Sequence, residues 1–184
     1  MMSVPNILTI SRVILLPLFF YLYQQASPVV SAILLASLLV TDFLDGYLAR
    51  RLRQETPLGA LLDPIADKLV ALILYGYLWM HGLIPTWFAT VILLRNFSQT
   101  MSVPILVWWL NRSFHVKPKA FPKWVTAMGF IYVFIPFYAV QEHALIMAIN
   151  PFLQGALAVA ELQILMTYLP RLVAIALKRH DTFE

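Results

Sequence analysis

The chain has 184 residues, of which 61% are hydrophobic and only 12% charged, and its formal net charge is +4. This composition, with a mean hydropathy of +0.78, exceeds the apolar content of ordinary soluble proteins and predicts an integral membrane protein. Its length suits one domain of about six spanning helices of about 20 residues each. Cysteine is absent, which excludes disulfides, thiolate metal sites and a cysteine nucleophile. We expect no nucleic-acid partner.

Polar and proline-bearing breaks divide the apolar sequence into six predicted spans. They are Ile10–Gln24, Pro28–Ala49, Leu58–His81, Pro85–Leu110, Phe121–Val140 and Ala144–Ala176. The stretch SVPNIL before the first span predicts a short interfacial segment, and the three-residue spacing of Asn6, Thr9 and Arg12 places them on one helix face. The last span is long and can bend at Pro170. The predicted fold is a single all-α membrane domain over residues 1–184, with six transmembrane helices and a short N-terminal interfacial helix.

Lysine and arginine are distributed unevenly between the breaks. The breaks after the first, third and fifth spans contain neither residue type. The opposite side carries Arg12, Arg50, Arg51, Arg53, Arg112, Lys117, Lys119, Lys123, Lys178 and Arg179. Because positively charged loops remain in the cytoplasm, this pattern predicts that both termini and the loop after the second span are cytoplasmic. We expect a multi-pass protein of a bacterial inner membrane.

Four aspartates lie near the cytoplasmic ends of the second and third spans: Asp42, Asp45, Asp63 and Asp67. Each pair shares one helix face, because its members are three or four residues apart, and a single basic loop allows the pairs to meet. An ionised aspartate in hydrocarbon costs about 2.5–3.5 kcal/mol, and four of them repel one another. Divalent cations would remove this cost. Oxygen ligands without nearby histidine or cysteine favour Mg²⁺ or Mn²⁺, and two such ions suit a displacement at phosphorus.

Simpler roles exist for some of these residues. Asp63 precedes Pro64 and is a candidate helix N-cap, whereas a cap at Thr56 before Pro57 would place Pro64 inside the helix. The arginines of the loop are also suited to anchoring helix ends. Capping explains only one of the four aspartates, however, so we favour a site over a purely structural role. The small residues Gly46, Ala49 and Gly59 would let a bulky ligand approach, and the fork of Arg50 suits phosphate oxygens.

The aspartates belong to a longer pattern, D-x2-D-G-x2-A-R-x8-G-x3-D-x3-D, which runs from Asp42 to Asp67. It resembles the signature of the CDP-alcohol phosphatidyltransferases at every fixed position and at both long spacings. The resemblance implies transfer of a phosphatidyl group from CDP-diacylglycerol to an alcohol with release of CMP, by a homodimer among membrane lipids. It also implies that all four aspartates hold metal and that Asp67 is in addition the general base.

The same resemblance implies a binding site for the CDP group. Its residues would be Gly46, Ala49, Arg50 and Gly59, with Arg50 on the diphosphate. Asn6 and Thr9 of the N-terminal segment are further candidates for this site. Anchoring of that segment at lipid headgroups is an equally good explanation for the two residues.

The alcohol acceptor must be inferred from other parts of the chain. The stretches PNILTISRVILLPLF and LGALLDPIADKL resemble the phosphatidylglycerophosphate and cardiolipin synthase branch, whose acceptors both carry a phosphate. We predict glycerol 3-phosphate as the acceptor, with phosphatidylglycerol as the alternative. Candidate ligands for its phosphate are Arg95, Lys119 and Lys123, and Arg95 inside the fourth span could instead neutralise the aspartates. Loop solvation is an alternative role for the two lysines.

The fourth span departs from both branches of the family. Glycerophosphate-using relatives usually carry Arg-Glu there and a second arginine two turns later, whereas this chain has Arg95-Asn96 and then Ser102. Cardiolipin synthases tend to carry Arg-Asp and a later Lys-Pro stretch, which Lys117-Pro118 resembles. The departures leave both acceptors open.

A divalent-cation transporter is the alternative from another functional class, because carboxylates inside a membrane also mark ion pathways. Transporters typically bind ions near the midplane, between repeated units. Here the carboxylates lie near one face, and the sequence shows no internal repeat. We therefore favour an enzyme, and release of CMP from CDP-diacylglycerol would distinguish the two classes.

Overall fold

A computed structural model describes the backbone of residues 4–25, 29–40, 57–104, 115–116, 120–139, 144–176 and 182–183. Side chains are described over residues 15–25, 29–40, 68–102, 121–138, 145–170 and 172–174. Six helical segments account for almost all of this backbone. They are α1 (Val4–Gln25), α2 (Val29–Val40), α3 (Pro57–Met80), α4 (Thr86–Pro104), α5 (Ala120–Phe134) and α6 (Ala144–Ala176). A π-helical turn, Ile135–Ala139, directly follows α5.

The predicted helical class is confirmed for the described residues, with one small exception. Two-residue strands, β1 (His115–Val116) and β2 (Thr182–Phe183), pair in parallel, with His115 opposite Thr182. The pair joins the connection between α4 and α5 to the segment that follows α6. Both segments were assigned to the cytoplasmic side by their positive charges, and the pairing agrees with that assignment.

Helix boundaries agree closely with the predicted third and sixth spans. The helix α3 starts and ends one residue earlier than predicted, and α6 has the predicted bounds and continues through Pro151 and Pro170. The later parts of the second and fourth spans, residues 41–49 and 105–110, lie outside the described residues. Their lengths stay predictions.

The prediction of a separate interfacial helix before the first span is wrong. Residues of that segment form the first turns of α1, which continues without a break to Gln25. No glycine or proline separates Asn6 from Ile10, and Pro5 occupies the first helical turn, where proline is tolerated. The chain therefore has no local reason to end a helix at that point.

Helix α6 supports the assignment to a membrane. By length and composition, Leu145–Ala174 is the one helix within the described residues that is long and apolar enough to cross a bilayer. Val29–Val40 and Lys68–Met80 are also apolar but shorter. One helix of this kind does not establish six crossings, so the number of spans stays a prediction.

The chain divides into two compact units, Met1–Val70 and Ala71–Glu184. In the first unit, the buried side chains include Leu16 and Phe19 of α1. The Phe19 ring contacts that of Tyr23, with 6.0 Å between ring centroids. The single domain over residues 1–184 stays a prediction.

In the second unit, α3 and α4 form a tight helical hairpin. The amide of Leu83 donates to the Leu78 carbonyl at 2.9 Å, and that of Gly82 donates to the Trp79 carbonyl at 3.0 Å. This is a Schellman motif, which ends α3 with a left-handed residue, and glycine accepts the φ of 69° at position 82 without strain. The Trp79 indole also donates to the Thr86 hydroxyl at 3.3 Å, which ties the two helices together.

A buried tyrosine joins α3 to α5 in the same unit. The Tyr75 hydroxyl donates to the Gly129 carbonyl at 2.8 Å. A Cβ atom at position 129 would lie 3.4 Å from that hydroxyl oxygen, at ordinary van der Waals contact. The Phe88 ring of α4 stands edge-on to Tyr75 and to Tyr132 of α5, with centroid distances of 6.2 and 5.2 Å. Aromatic rings thus fill the space between three helices.

Contacts within the second unit show the direction of each helix. Phe88 of α4 contacts Tyr132 of α5, and Arg95, further along α4, contacts Thr126, which is earlier in α5. The helices α4 and α5 are therefore antiparallel. Arg95 contacts Glu161 of α6, and Ser102 contacts Tyr168, so α4 and α6 run in the same direction. This alternation is what three successive membrane crossings require.

Candidate active site

The described part of the aspartate signature lies on the first half of α3. Because α3 begins at Pro57, Asp63 and Asp67 are inside the helix and Asp63 is not its N-cap. The cap alternative at Pro64 is therefore wrong, whereas a helix beginning at Pro57 is confirmed. The two aspartates are four residues apart, about 6 Å along the axis, and share one helix face. Capping now explains none of the carboxylates on α3.

The remaining signature residues, Asp42, Asp45, Gly46, Ala49 and Arg50, lie outside the described residues. For Asn6, Thr9, Asp63 and Asp67 the structure gives the backbone but not the side chains. Among the described side chains, no group of three histidines, cysteines or carboxylates could hold a metal ion. The metal and CDP sites therefore stay predictions from the sequence. Two carboxylates one turn apart on α3 are a suitable oxygen donor set for a hard divalent cation.

A second polar cluster lies between the helices of the second unit. Its centre is Arg95 of α4, whose side chain is 2% exposed, in ionic contact with Glu161 of α6, which is 4% exposed. The Arg95 Nε and Glu161 Oε2 atoms are 2.9 Å apart, but the N–H does not point at this oxygen as in a hydrogen bond. We call this cluster the polar seam. Its members are Arg95, Asn96, Ser102, Thr126, Glu161 and Tyr168.

Two hydrogen bonds fix the far end of the Arg95 guanidinium. Nη1 donates to the Asn96 Oδ1 atom and Nη2 donates to the Thr126 Oγ1 atom, each at 3.2 Å. Asn96 donates one amide hydrogen to the Ile92 carbonyl, and Thr126 donates its hydroxyl hydrogen to the Pro122 carbonyl. Both side chains therefore present an oxygen to Arg95. Three helices position the guanidinium: α4, α5 and α6.

A second cross-link lies two turns further along the polar seam. The Tyr168 hydroxyl of α6 donates to the Ser102 hydroxyl of α4, which in turn donates to the Gln99 carbonyl. Ser102 follows Arg95 by seven residues, and Tyr168 follows Glu161 by the same interval. Equal spacing on both helices keeps the two contacts in register.

A separate buried network lies two turns before Glu161 on α6. The Gln154 side-chain amide donates to the Tyr132 hydroxyl at 2.8 Å, and that hydroxyl donates to the Asn150 side-chain oxygen at 2.9 Å. Tyr132 belongs to α5, so this network also joins neighbouring helices. It is not part of the polar seam, and it provides a useful comparison with Glu161.

The structure treats the three predicted acceptor ligands differently. Arg95 is buried and paired, Lys123 is exposed in the first turn of α5, and Lys119 lies outside the described residues. Lys123 precedes Thr126 by three residues, so it is one turn from a side chain that binds Arg95. Lys123 and the Arg95 partner Thr126 thus lie on the same helix, α5. The structure shows no contact between Arg95 and Lys123 themselves. The acceptor role of all three stays a prediction.

Sequence reasoning missed Glu161. It is the one acidic residue in the span 144–176 and lies 66 residues after Arg95 in the sequence. An ionisable residue inside a predicted transmembrane span is by default a functional candidate, and this signal was present in the sequence. Its partner could not be identified without the tertiary structure.

The chain belongs to the CDP-alcohol phosphatidyltransferase family, whose sequence profile matches residues 2–168. This match confirms the resemblance that the aspartate signature indicated. Members of this family generally use divalent metal ions. The match covers both the described aspartates of α3 and the polar seam.

Curated relatives carry the name CDP-diacylglycerol–glycerol-3-phosphate 3-phosphatidyltransferase. The protein from Pseudomonas fluorescens is 49% identical over 89 residues, which are 43% of this chain and 46% of the relative. The protein from Escherichia coli K12 is 36% identical over 111 residues, 59% of this chain and 60% of the relative. The protein from Aquifex aeolicus is 35% identical over 128 residues, 68% of this chain and 70% of the relative. The first two matches therefore span about half to three fifths of the relatives' length.

Proposed function

We propose that this protein transfers the phosphatidyl group of CDP-diacylglycerol to glycerol 3-phosphate, forming phosphatidylglycerophosphate and releasing CMP. The observation that carries the proposal is the family match over residues 2–168, which includes the whole aspartate signature. The names of the relatives support glycerol 3-phosphate over phosphatidylglycerol as the acceptor. Family membership also favours an enzyme over a cation transporter.

Asp42, Asp45, Asp63 and Asp67 would hold two divalent ions, either Mg²⁺ or Mn²⁺. Support comes from the all-oxygen donor set and from the common helix face of the last two aspartates. When bound, such ions offset the charge of the diphosphate and make a nearby hydroxyl more acidic. The binding of these ions also accounts for carboxylates that would otherwise repel one another in a membrane.

Asp67 would be the general base of the transfer. The acceptor oxygen forms a bond to the phosphorus of the phosphatidyl group, the bond from that phosphorus to the CMP oxygen breaks, and Asp67 accepts the hydroxyl proton. A carboxylate is a weak base toward an alcohol, so this role requires the increased acidity of the hydroxyl. The remaining aspartates would not exchange protons in this scheme.

The CDP group would bind along the same signature. Gly59 lies on α3, four residues before Asp63, where the lack of a side chain would permit close approach of the nucleotide. Arg50 would bind the diphosphate through its planar fork, next to Gly46 and Ala49. Asn6 and Thr9 share a face of α1 and would extend this site. The assignments of Gly46, Ala49, Arg50 and Gly59 rest on the matching positions of the signature, whereas those of Asn6 and Thr9 rest on their common helix face.

Arg95, Lys119 and Lys123 would bind the acceptor phosphate. Each Nη atom of Arg95 carries a second hydrogen beyond the one donated to Asn96 or Thr126. Each of these hydrogens could be donated to a phosphate oxygen. The exposed residue Lys123, one turn from Thr126, would add positive charge at the same helix.

We further propose six membrane crossings, cytoplasmic termini and active site, and a homodimer in a bacterial inner membrane. The alternating directions of α4, α5 and α6 and the β1–β2 pairing agree with this topology. The chain contains no cysteine, so single cysteines can be introduced without background labelling. Cysteines at His81 or Glu142 should react with an impermeant reagent from outside, and those at Arg53 or Lys119 only from the cytoplasm. The reverse pattern would contradict the orientation.

The decisive test of the activity is CMP release by the purified protein with CDP-diacylglycerol and Mg²⁺ or Mn²⁺. Glycerol 3-phosphate, phosphatidylglycerol, inositol phosphate and serine should be offered separately and together, and the lipid product identified. Phosphatidylglycerophosphate as the product would support the proposal, and cardiolipin alone would favour the alternative acceptor. Absence of CMP release with every acceptor would overturn the transferase assignment for this chain.

A further inference from the structure

We propose that Glu161 is a positioning residue for the acceptor site, which orients the Arg95 guanidinium toward the acceptor phosphate. This inference rests on the proposed function of Arg95 and extends it to a residue outside the family signature. Glu161 would not touch either substrate. It would act through the contact between its Oε2 atom and the Arg95 Nε atom, which are 2.9 Å apart.

The first argument concerns the cost of the pair. A charged residue within a membrane costs about 2.5–3.5 kcal/mol on insertion scales, and both members of this pair are almost fully buried. The attraction within a buried ion pair is largely offset by desolvation, so such pairs are weak evidence for stability. Helix packing alone therefore does not explain why the protein keeps two charges here.

The second argument concerns how the guanidinium is held. Glu161 contacts Nε, while Asn96 and Thr126 each accept one hydrogen bond from the Nη atoms. The two hydrogen bonds and the ionic contact restrict the orientation of the group, and the hydrogen bonds use two of its five hydrogens. Nη1 and Nη2 each keep one further hydrogen, which can be donated to a phosphate oxygen. A contact at Nε does not use the Nη hydrogens, so Glu161 can orient Arg95 through it.

The third argument concerns charge. The pair is neutral, so long-range attraction by Arg95 would contribute little to the binding of a phosphate. Binding would depend instead on directed hydrogen bonds, which require a fixed donor geometry. The exposed Lys123 would supply the net positive charge of the site. A residue that fixes the donor geometry should then affect the acceptor and not the lipid donor.

The test compares Glu161→Ala with Glu161→Gln in the full-length protein, using the kinetics of CMP release. Glu161→Ala should raise the KM for glycerol 3-phosphate about tenfold, the equivalent of one charge-assisted hydrogen bond. The KM for CDP-diacylglycerol should change by less than about twofold. Glu161→Gln, which keeps an oxygen that can contact Arg95, should give a smaller increase in the acceptor KM.

Gln154→Ala is the matched control, because Gln154 is equally buried on α6, two turns earlier, and bonds to Tyr132 instead of Arg95. It should leave both KM values unchanged even if it lowers the melting temperature. An acceptor KM that is unchanged or lowered in Glu161→Gln would overturn the inference. Equal increases in both substrates' KM values would also overturn it, because they would indicate general disruption.

A double-mutant cycle keeps the test decisive if Glu161→Ala does not fold. In an Arg95→Lys background, which keeps the positive charge but lacks the fork, Glu161→Gln should cause no further increase in the acceptor KM. Equal increases in both backgrounds would show that Glu161 does not act through Arg95. If the wild-type protein releases no CMP with glycerol 3-phosphate, the proposed function fails. If it does and the Glu161 variants behave like wild type, only the present inference fails.

Discussion

The two charged regions of this protein balance their charges in different ways. The signature places four carboxylates, Asp42, Asp45, Asp63 and Asp67, within 26 residues, and like charges of this density repel one another. The polar seam instead joins one guanidinium to one carboxylate, with no net charge. Under the proposed function, the first region would therefore bind a cationic ligand, whereas the charges of Arg95 and Glu161 in the second already offset each other. The polar seam would then bind the acceptor phosphate through directed hydrogen bonds and not through net charge.

Removal of divalent ions should have the largest effect and applies to the first region alone. Chelation with EDTA should reduce CMP release to background, because the aspartates would lose the cations that offset their charge and that of the diphosphate. Addition of Mg²⁺ or Mn²⁺ in excess should restore turnover. The coupling free energy of unfolding between Ser102 and Tyr168 in the polar seam should be the same with and without EDTA. Full activity in the presence of EDTA would show that the aspartates do not need a cation. The two regions would then not differ in how their charges are balanced.

Asp67→Asn should lower turnover by roughly 10²- to 10⁴-fold, the usual contribution of a general base. The change removes one charge and the proton acceptor but leaves three carboxylates. Binding of CDP-diacylglycerol should therefore persist at least in part. The measurements are the rate of CMP release and equilibrium binding of the lipid donor.

Asp181→Asn is a control for Asp67→Asn, because it removes an acidic residue outside the signature. It should retain near-normal turnover. If Asp67→Asn also kept near-normal turnover, the assignment of Asp67 as the base would be wrong. If it abolished donor binding completely, Asp67 would act chiefly as a metal ligand.

Arg95→Ala should have a smaller effect that is specific to one substrate. Loss of one charge-assisted hydrogen bond, worth about 1.5–3 kcal/mol, should raise the KM for glycerol 3-phosphate roughly 10- to 150-fold. The KM for CDP-diacylglycerol should change much less. Arg95→Lys is the companion variant, because it does not leave Glu161 facing a neutral side chain. Equal changes for both substrates would argue that the polar seam has no specific relation to the acceptor.

The smallest expected effect concerns the second cross-link of the polar seam. The variants Ser102→Ala and Tyr168→Phe, alone and combined, should show a coupling free energy of about 0.6 kcal/mol and no more than about 1.7 kcal/mol. Thermal unfolding in detergent would measure it, and CMP release should remain close to wild type. A substantial loss of turnover in either single variant would mean that this cross-link also serves the reaction.

Most of the helical structure could be predicted because its signals are local. The bounds of α3 and α6 follow from apolar runs that end at proline or polar residues. The aspartates were also identifiable from local spacing, since members of a pair are three or four residues apart. The strands β1 and β2 were not predicted, because two residues are too short to show an alternating pattern.

The polar seam could not be predicted from local patterns. Arg95 was identified as an unusual cation within a span, but its partner Glu161 lies on a helix 66 residues later. Only the packing of α4 against α6 brings the two together. The contact of Ser102 with Tyr168 has the same sequence separation of 66 and was missed for the same reason. Pairing between distant helices is a tertiary property, and periodicity within one helix carries no information about it.

The seven-residue interval shared by Arg95–Ser102 and Glu161–Tyr168 limits how α4 and α6 can move. Seven residues fall about 20° short of two full turns, so both contacts persist along the interface if the helices wind slowly around each other in a left-handed sense. Sliding one helix by a single residue would rotate its contact face by about 100° and separate both contacts together. We expect the two helices to move together as one rigid unit. Any opening that admits the lipid donor would then be carried by other helices.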